Sequence, residues 1–95
     1  MSVPTQPLTG TYWGELRIFL QVALSKSFNK AGAQLGISHP TVARAVRRLE
    51  AELNAELLVA NSRGTSLTPV GVRLARAVAR LDRNVAAIAQ QIAAR

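Results

Sequence analysis

"SHPTVARAVRRLE", residues 38 to 50, carries two signals in one stretch. Val42, Val46 and Leu49 recur at helical spacing, and Leu53 extends the stripe. Between them stand Arg44, Arg47 and Arg48. Ser38 is a preferred N-cap, and Pro40 falls in the first turn, where a missing N–H costs nothing. The proline therefore starts this helix and does not break it. At 100° per residue from Val42, the other three aliphatics lie within roughly 40°, while Pro40, Arg44, Arg47 and Ala51 lie roughly 140–200° away. One side is built for a core, and the opposite side is small or cationic. Glu50 and Glu52 enter only in the C-terminal half, so the N-terminal half is positive, with the helix dipole added. Either these arginines are a solvated face with i, i+4 partners such as Arg48 and Glu52, or they meet an anion.

Working outward, the preceding residues predict a short helix over Lys30 to Leu35, with Asn29 as N-cap and Ala31 and Leu35 on one face. Gly36 stands where a C-cap glycine belongs, and Ile37 follows as an apolar plug. Before that, Leu16, Phe19, Leu20 and Ala23 mark an amphipathic helix over Trp13 to Ser25, closed by "SKSFN". After the arginine helix, "LLVA" and "SLT" are short β-compatible runs separated by the turn-forming "NSRGT", which predicts a small hairpin. Thr68 and Pro69 read as N-cap and first residue of a last helix, Pro69 to about Ala93. In it Leu74, Val78, Leu81, Val85, Ile88 and Ile92 alternate in steps of four and three, a heptad seam.

Composition bounds what this arrangement does. Ninety-five residues make one small domain, and aromatics are only Tyr12, Trp13, Phe19 and Phe28, so the core is aliphatic. Twelve Lys and Arg against five Asp and Glu leave a net charge of +7, and ten of the twelve are Arg. That balance favours a polyanionic partner, nucleic acid before an anionic membrane surface. There is no cysteine, hence no disulfide framework and no thiolate nucleophile, and a reducing cytoplasm is compatible. No apolar run approaches the roughly 18 residues of a membrane span. "MSVPTQPLTG" is polar and proline-rich, which reads as a flexible lead-in and not as a signal peptide. One histidine and no converging carboxylate pair argue against an enzyme, and His39 beside a proline is no metal site. No cofactor and no metal are expected.

Two short helices joined by "GIS", the second rich in arginine, match a helix-turn-helix. Here the chain resembles a known family. The stretch from Leu16 to Gly71 carries L-R-x-F, then S-F-x-x-A-x-x-x-L-x-I-S-x-P-x-V-x-R-x-[IV]-x-x-L-E-x-x-L, then RG and LT-x-x-G. It looks like the DNA-binding domain of LysR-type transcriptional regulators. The resemblance implies a mainly α fold: a winged helix-turn-helix of three helices and a small two-stranded β-hairpin wing, followed by a long dimerisation helix. The expected division is a flexible segment over residues 1–12, the DNA-binding domain over 13–68 and the linker helix over 69–95. The implied function is specific binding of double-stranded DNA by a bacterial homodimer, in the cytoplasm at the nucleoid.

Carried over by residue, the third helix resembles the recognition helix, with His39, Pro40, Thr41 and Arg44 in the major groove. Arg44 is the best base reader, because a guanidinium binds guanine O6 and N7 together. His39 stands where the family often has glutamine and makes at most one such bond; otherwise it is a solvent-facing histidine of a first turn. Ala43 stands where serine is common. Arg63 matches the wing arginine, which narrow A·T-rich minor grooves attract. Ser27, Asn29, Lys30, Ser38, Arg48, Ser62 and Thr65 are read as backbone contacts. Arg47, grouped with them, fits base or phosphate. Leu58 and Ala60 replace the common Phe and Arg, and Gly32 replaces an alanine, which should weaken its helix slightly.

The seam of the last helix packs on its own domain or on a second copy, and its wet face carries Arg73, Arg76, Arg80 and Arg83. Antiparallel or crossed pairing of two chains is favoured, which sets two recognition helices toward a palindromic site. A basic helix lying on a membrane is the rival, disfavoured by its alanine-rich faces. The family continues into an effector-binding domain, so no small-molecule effector is expected on these 95 residues. The alternative function is a non-specific nucleoid-type DNA-binding protein, marked by steep salt dependence without site preference.

Overall fold

A computed structural model describes residues 12–94. Helices α1 (Trp13–Ser25), α2 (Phe28–Leu35) and α3 (His39–Leu53) precede a hairpin of β1 (Leu58–Asn61) and β2 (Gly64–Leu67), and α4 (Pro69–Ala94) closes the chain. The expected mainly α fold with a two-stranded wing is therefore the observed one. Of the expected lead-in, only Tyr12 falls within the described residues; it is tied down, its hydroxyl donating to Glu52 Oε2 at 2.7 Å.

Local chemistry accounts for each boundary. Ser27, in extended conformation, accepts from the Lys30 N–H at 3.1 Å. It is thus Ser27, and not Asn29, that caps α2, and the helix starts at Phe28, two residues before its expected first residue. A hydroxyl on an extended residue satisfies an orphan N–H, which Asn29, already helical, does not do from its position. Gly36 ends α2 in the left-handed region, with φ of 72°. Ser38 caps α3, accepting from the Thr41 N–H at 3.3 Å, with Pro40 inside the first turn as expected. Thr68 caps α4: its hydroxyl accepts from the Gly71 N–H at 3.0 Å and donates to the Glu56 carbonyl at 2.6 Å.

The strands lie closer to the turn than expected: β1 runs one residue later than "LLVA", and β2 begins two residues before "SLT" and ends one before it. Leu58 pairs with Leu67 and Asn61 with Gly64, so the turn is only Ser62 and Arg63. Asn61 Oδ1 accepts from the Arg63 N–H at 2.9 Å, closing the turn locally. Thr65 consequently belongs to β2 and not to the turn, and Leu57 leaves the strand for the core, where it is fully buried.

Two apolar clusters hold the body. Leu16, Phe19, Leu20, Leu49, Leu57, Ala75 and Val78 form one, joining α1, α3 and the start of α4. Val22, Ala31, Val42 and Val46 form the other, beneath the helix-turn-helix. Leu35 is exposed and does not share the buried face of Ala31; Gly32 takes that place. A Cβ on Gly32 would come within 2.6 Å of the Ile37 carbonyl oxygen. The missing methyl group therefore lets the turn pack against α2, an offset to the helix-propensity cost expected of glycine.

The seam of α4 divides. Val78 is buried in its own domain, and Leu74, half-buried, packs against the same cluster. Leu81, Val85, Ile88 and Ile92 remain about half exposed, and every residue from Arg83 to Ala94 is exposed. The expected six-residue seam is thus a two-residue intramolecular anchor followed by a four-residue exposed stripe. An Arg17–Asp82 ion pair of 3.6 Å ties α1 to α4 at the end of the covered part.

Candidate nucleic-acid interface

The side of α3 opposite its core stripe is open. Ser38, His39, Pro40, Arg44, Arg47 and Arg48 are exposed, and Thr41 is half-buried. Burial of Val42, Val46 and Leu49 fixes the rotation of the helix, and that rotation alone turns Pro40 and Arg44 outward. The caps set two helix N-termini close in sequence, each adding partial positive charge to Lys30 and the arginines.

The three arginines are not equivalent. Arg48 pairs across to α1, its Nη1 3.9 Å from Glu15 Oε2. The i, i+4 partner read from the sequence, Glu52, is instead engaged by Tyr12. Among the described residues no carboxylate pairs with Arg44, Arg47 or Arg63. A solvated face neutralised by its own acids therefore describes Arg48 at most. Arg47 borders an open cleft of about 270 Å³ between α3 and β1, with Ala43, Leu58 and Ala60. Arg44 lies roughly midway between Arg47 and Arg48 on a 100° wheel. It is the outermost of the three. Arg48 stands on the α1 flank, and Arg47 on the hairpin flank.

Around this helix, Asn29 and Lys30 are exposed in the first turn of α2, with Ser27 half-buried as its cap. Ser62 and Arg63 form the exposed hairpin tip. Thr65 is half-buried and turned toward α1, lining a hollow of about 160 Å³ with Val22, Ala23 and Lys26. Lys26 ends α1 in the left-handed conformation beside the hairpin, a cation that periodicity could not place.

Glu50 was legible only as an acid in the C-terminal half of α3. Its Oε2 accepts from the N–H groups of Leu57 (2.8 Å) and Leu58 (3.3 Å), locking the start of the hairpin to α3. Its place on the wheel, roughly 80° from Val42 and so near the apolar stripe, is the sequence signal that it turns inward. Gly71 completes the junction: a Cβ there would collide with the Leu57 carbonyl oxygen. The Glu52 carboxylate, by accepting the Tyr12 hydroxyl, raises the Tyr12 pKa above its usual value of 10.0. Among the described residues, no three of His, Asp and Glu gather as a metal site would require, and no helix is long and apolar enough to cross a membrane.

A third helix with a buried stripe and an open opposite face, a short preceding helix and a flanking hairpin define a winged helix-turn-helix protein. The family model "Bacterial regulatory helix-turn-helix protein, lysR family" matches residues 13–72, and the chain belongs to that family. It is 40% identical over 73 residues to the HTH-type transcriptional regulator CrgA of Neisseria meningitidis, a match covering 77% of this chain and 24% of that regulator. It is 42% identical over 59 residues to the regulator BbuR of Bordetella bronchiseptica, covering 62% of this chain and 18% of the relative. The chain thus spans about a quarter or less of the curated relatives it matches. Among solved structures, the BenM DNA-binding domain in complex with catB site 1 DNA superposes with a TM-score of 0.79 at 32% identity, over 84% of this chain and 89% of that one. The CbnR DNA-binding domain–DNA complex gives a TM-score of 0.74 at 28% identity, over 87% and 98% of the two chains.

Proposed function

We propose that this chain binds double-stranded DNA sequence-specifically as a homodimer, and is the DNA-binding portion of a bacterial transcriptional regulator. The observation that carries the proposal is the outer face of α3. Arg44 and Arg47 stand exposed, with no carboxylate partner among the described residues, on the outer face of a helix whose rotation the core fixes. Residues 13–68 are the DNA-binding unit and residues 69–95 the dimerisation helix. His39, Pro40, Thr41 and Arg44 meet base edges in the major groove, and Arg63 enters the adjacent, A·T-rich minor groove. Ser27, Asn29, Lys30, Ser38, Ser62 and Thr65 meet the sugar-phosphate backbone. Arg47, on the hairpin flank of α3, takes the phosphate of the strand that runs between helix and wing. Arg48 contributes a weaker phosphate contact, since Glu15 already shares its charge.

The dimer uses the exposed stripe of α4. Leu81, Val85, Ile88 and Ile92 are half exposed and spaced by four and three, as an interhelical seam requires. An antiparallel or crossed pair sets two copies of α3 toward a palindromic site. Such a protein works in the bacterial cytoplasm, at the nucleoid.

Selection of bound sites from random duplex DNA, followed by competition against a scrambled duplex, tests this reading. The expected result is a palindromic half-site preferred over scrambled DNA by about a thousandfold or more. Equal affinity for both duplexes, with a steep salt dependence, identifies a non-specific nucleoid-type protein instead.

A further inference from the structure

His39 opens α3 and Phe28 opens α2, and their rings meet: centroids 5.4 Å apart, planes tilted by 56°. Phe28 is half-buried and packs on the cluster of Val22, Ala31, Val42 and Val46, so its own position is set by the core. His39 is exposed. Both rings border the cleft between α3 and β1 that Ala43, Leu58 and Ala60 leave open. The imidazole thus leans on a ring that is fixed from beneath while the rest of its surface stays open.

An exposed histidine in a helical first turn ordinarily samples several rotamers. A base contact then requires ordering the ring as well as making the bond, and the single bond available to an imidazole offsets little of that cost. A tilted aromatic neighbour at this spacing is attractive and confines the ring beforehand. We propose that Phe28 is a positioning residue for base discrimination: it holds the His39 imidazole in one orientation at the reading end of α3. Sequence preference at the base pair facing His39 therefore depends on an aromatic ring at position 28. This inference rests on the DNA reading proposed above.

The test compares the wild-type chain with His39→Ala, Phe28→Leu, Phe28→Tyr and the double variant His39→Ala/Phe28→Leu against a randomised duplex library, read position by position. His39→Ala is expected to flatten the preference at one half-site position. Phe28→Leu should flatten the same position by about two- to tenfold. Phe28→Tyr should retain the preference, and the double variant should lose no more than His39→Ala alone. If Phe28→Leu weakens all sequences equally, or alters a position that His39→Ala spares, the proposal is wrong. His39 is the one histidine in the chain, so its imidazole protons are unambiguous by nuclear magnetic resonance. In the wild-type chain they should show ring-current shifts and cross-peaks to Phe28, free and DNA-bound, whether or not Phe28→Leu folds. Absence of those signals overturns the proposal. A wild-type chain without any base preference overturns the DNA reading as well, whereas a preference that Phe28→Leu leaves intact overturns this inference alone.

Discussion

Helices α3 and α4 are written in the same code and are used differently. Each has an aliphatic stripe at helical spacing with arginines on the opposite side. In α3 the stripe is consumed within the chain: Val42, Val46 and Leu49 are buried, and the arginines are what remains to meet a partner. In α4 the stripe itself outlasts the body. Val78 is 3% exposed, and one heptad later Val85 is 53% exposed. At 1.5 Å per residue the 26-residue helix runs about 39 Å, and it projects past the body that covers its first turns. An apolar stripe therefore says that something covers it, and not what.

The sharpest way to break the comparison is to remove one leucine from the buried stripe. Leu49→Ala should cost about 2–5 kcal/mol in urea denaturation, because the site is fully buried among α1, α3 and Leu57. A loss below about 1 kcal/mol would mean that α3 is not anchored as described. The matching change on α4, Val85→Asp, should leave the unfolding free energy of the dilute monomer nearly unchanged. It should shift sedimentation from dimer to monomer at concentrations where the wild-type chain pairs. If it unfolds the monomer, the two stripes are alike after all.

The arginine faces give the next contrast. Arg44→Ala should weaken binding to the preferred duplex by about 1–3 kcal/mol and relax preference at one base pair. Arg80→Ala, on the wet side of α4, should change affinity by no more than about twofold at physiological salt. Comparable losses from both would assign the binding to net charge alone. A smaller effect is expected from Glu50→Gln, which keeps one acceptor for the Leu57 and Leu58 N–H groups but removes its charge. Thermal unfolding should report a loss of about 1 kcal/mol.

The smallest effect lies at the N-terminal margin. Tyr12 is the one tyrosine in the chain, so its ultraviolet titration is unambiguous. The Glu52 carboxylate favours the protonated phenol, so the midpoint should lie above 10.0 and move down toward it in Glu52→Gln. Because the folded-state value is raised, any stabilisation from this contact is fully present below the unfolded value. It is lost as pH rises through the folded one.

Much of the fold was legible because helical periodicity and capping are local. Ser38 with Pro40, Gly36 and Thr68 with Pro69 each marked a boundary that the structure keeps. The start of α2 was less legible, since Ser27 and Asn29 are both acceptable caps and only backbone conformation chooses between them. The hairpin register turned on one side chain, Asn61, closing a two-residue turn. Of the candidate interface, the exposure of Arg44 followed from the wheel. The pairing of Arg48 with Glu15 and of Tyr12 with Glu52 did not, because each joins residues more than thirty positions apart.

By itself the sequence determined the helices, the tight turn between α2 and α3, the cationic face of α3 and the membership of a regulator family. These depend on residues a few positions apart, where spacing maps directly onto geometry. Only the tertiary structure decided which part of the α4 stripe is covered and which arginine finds an acid. It alone assigned the turn of Glu50 toward Leu57 and the contact of the Phe28 and His39 rings. Those facts depend on which elements lie side by side once the core has closed, and periodicity within one helix carries no information about its neighbours.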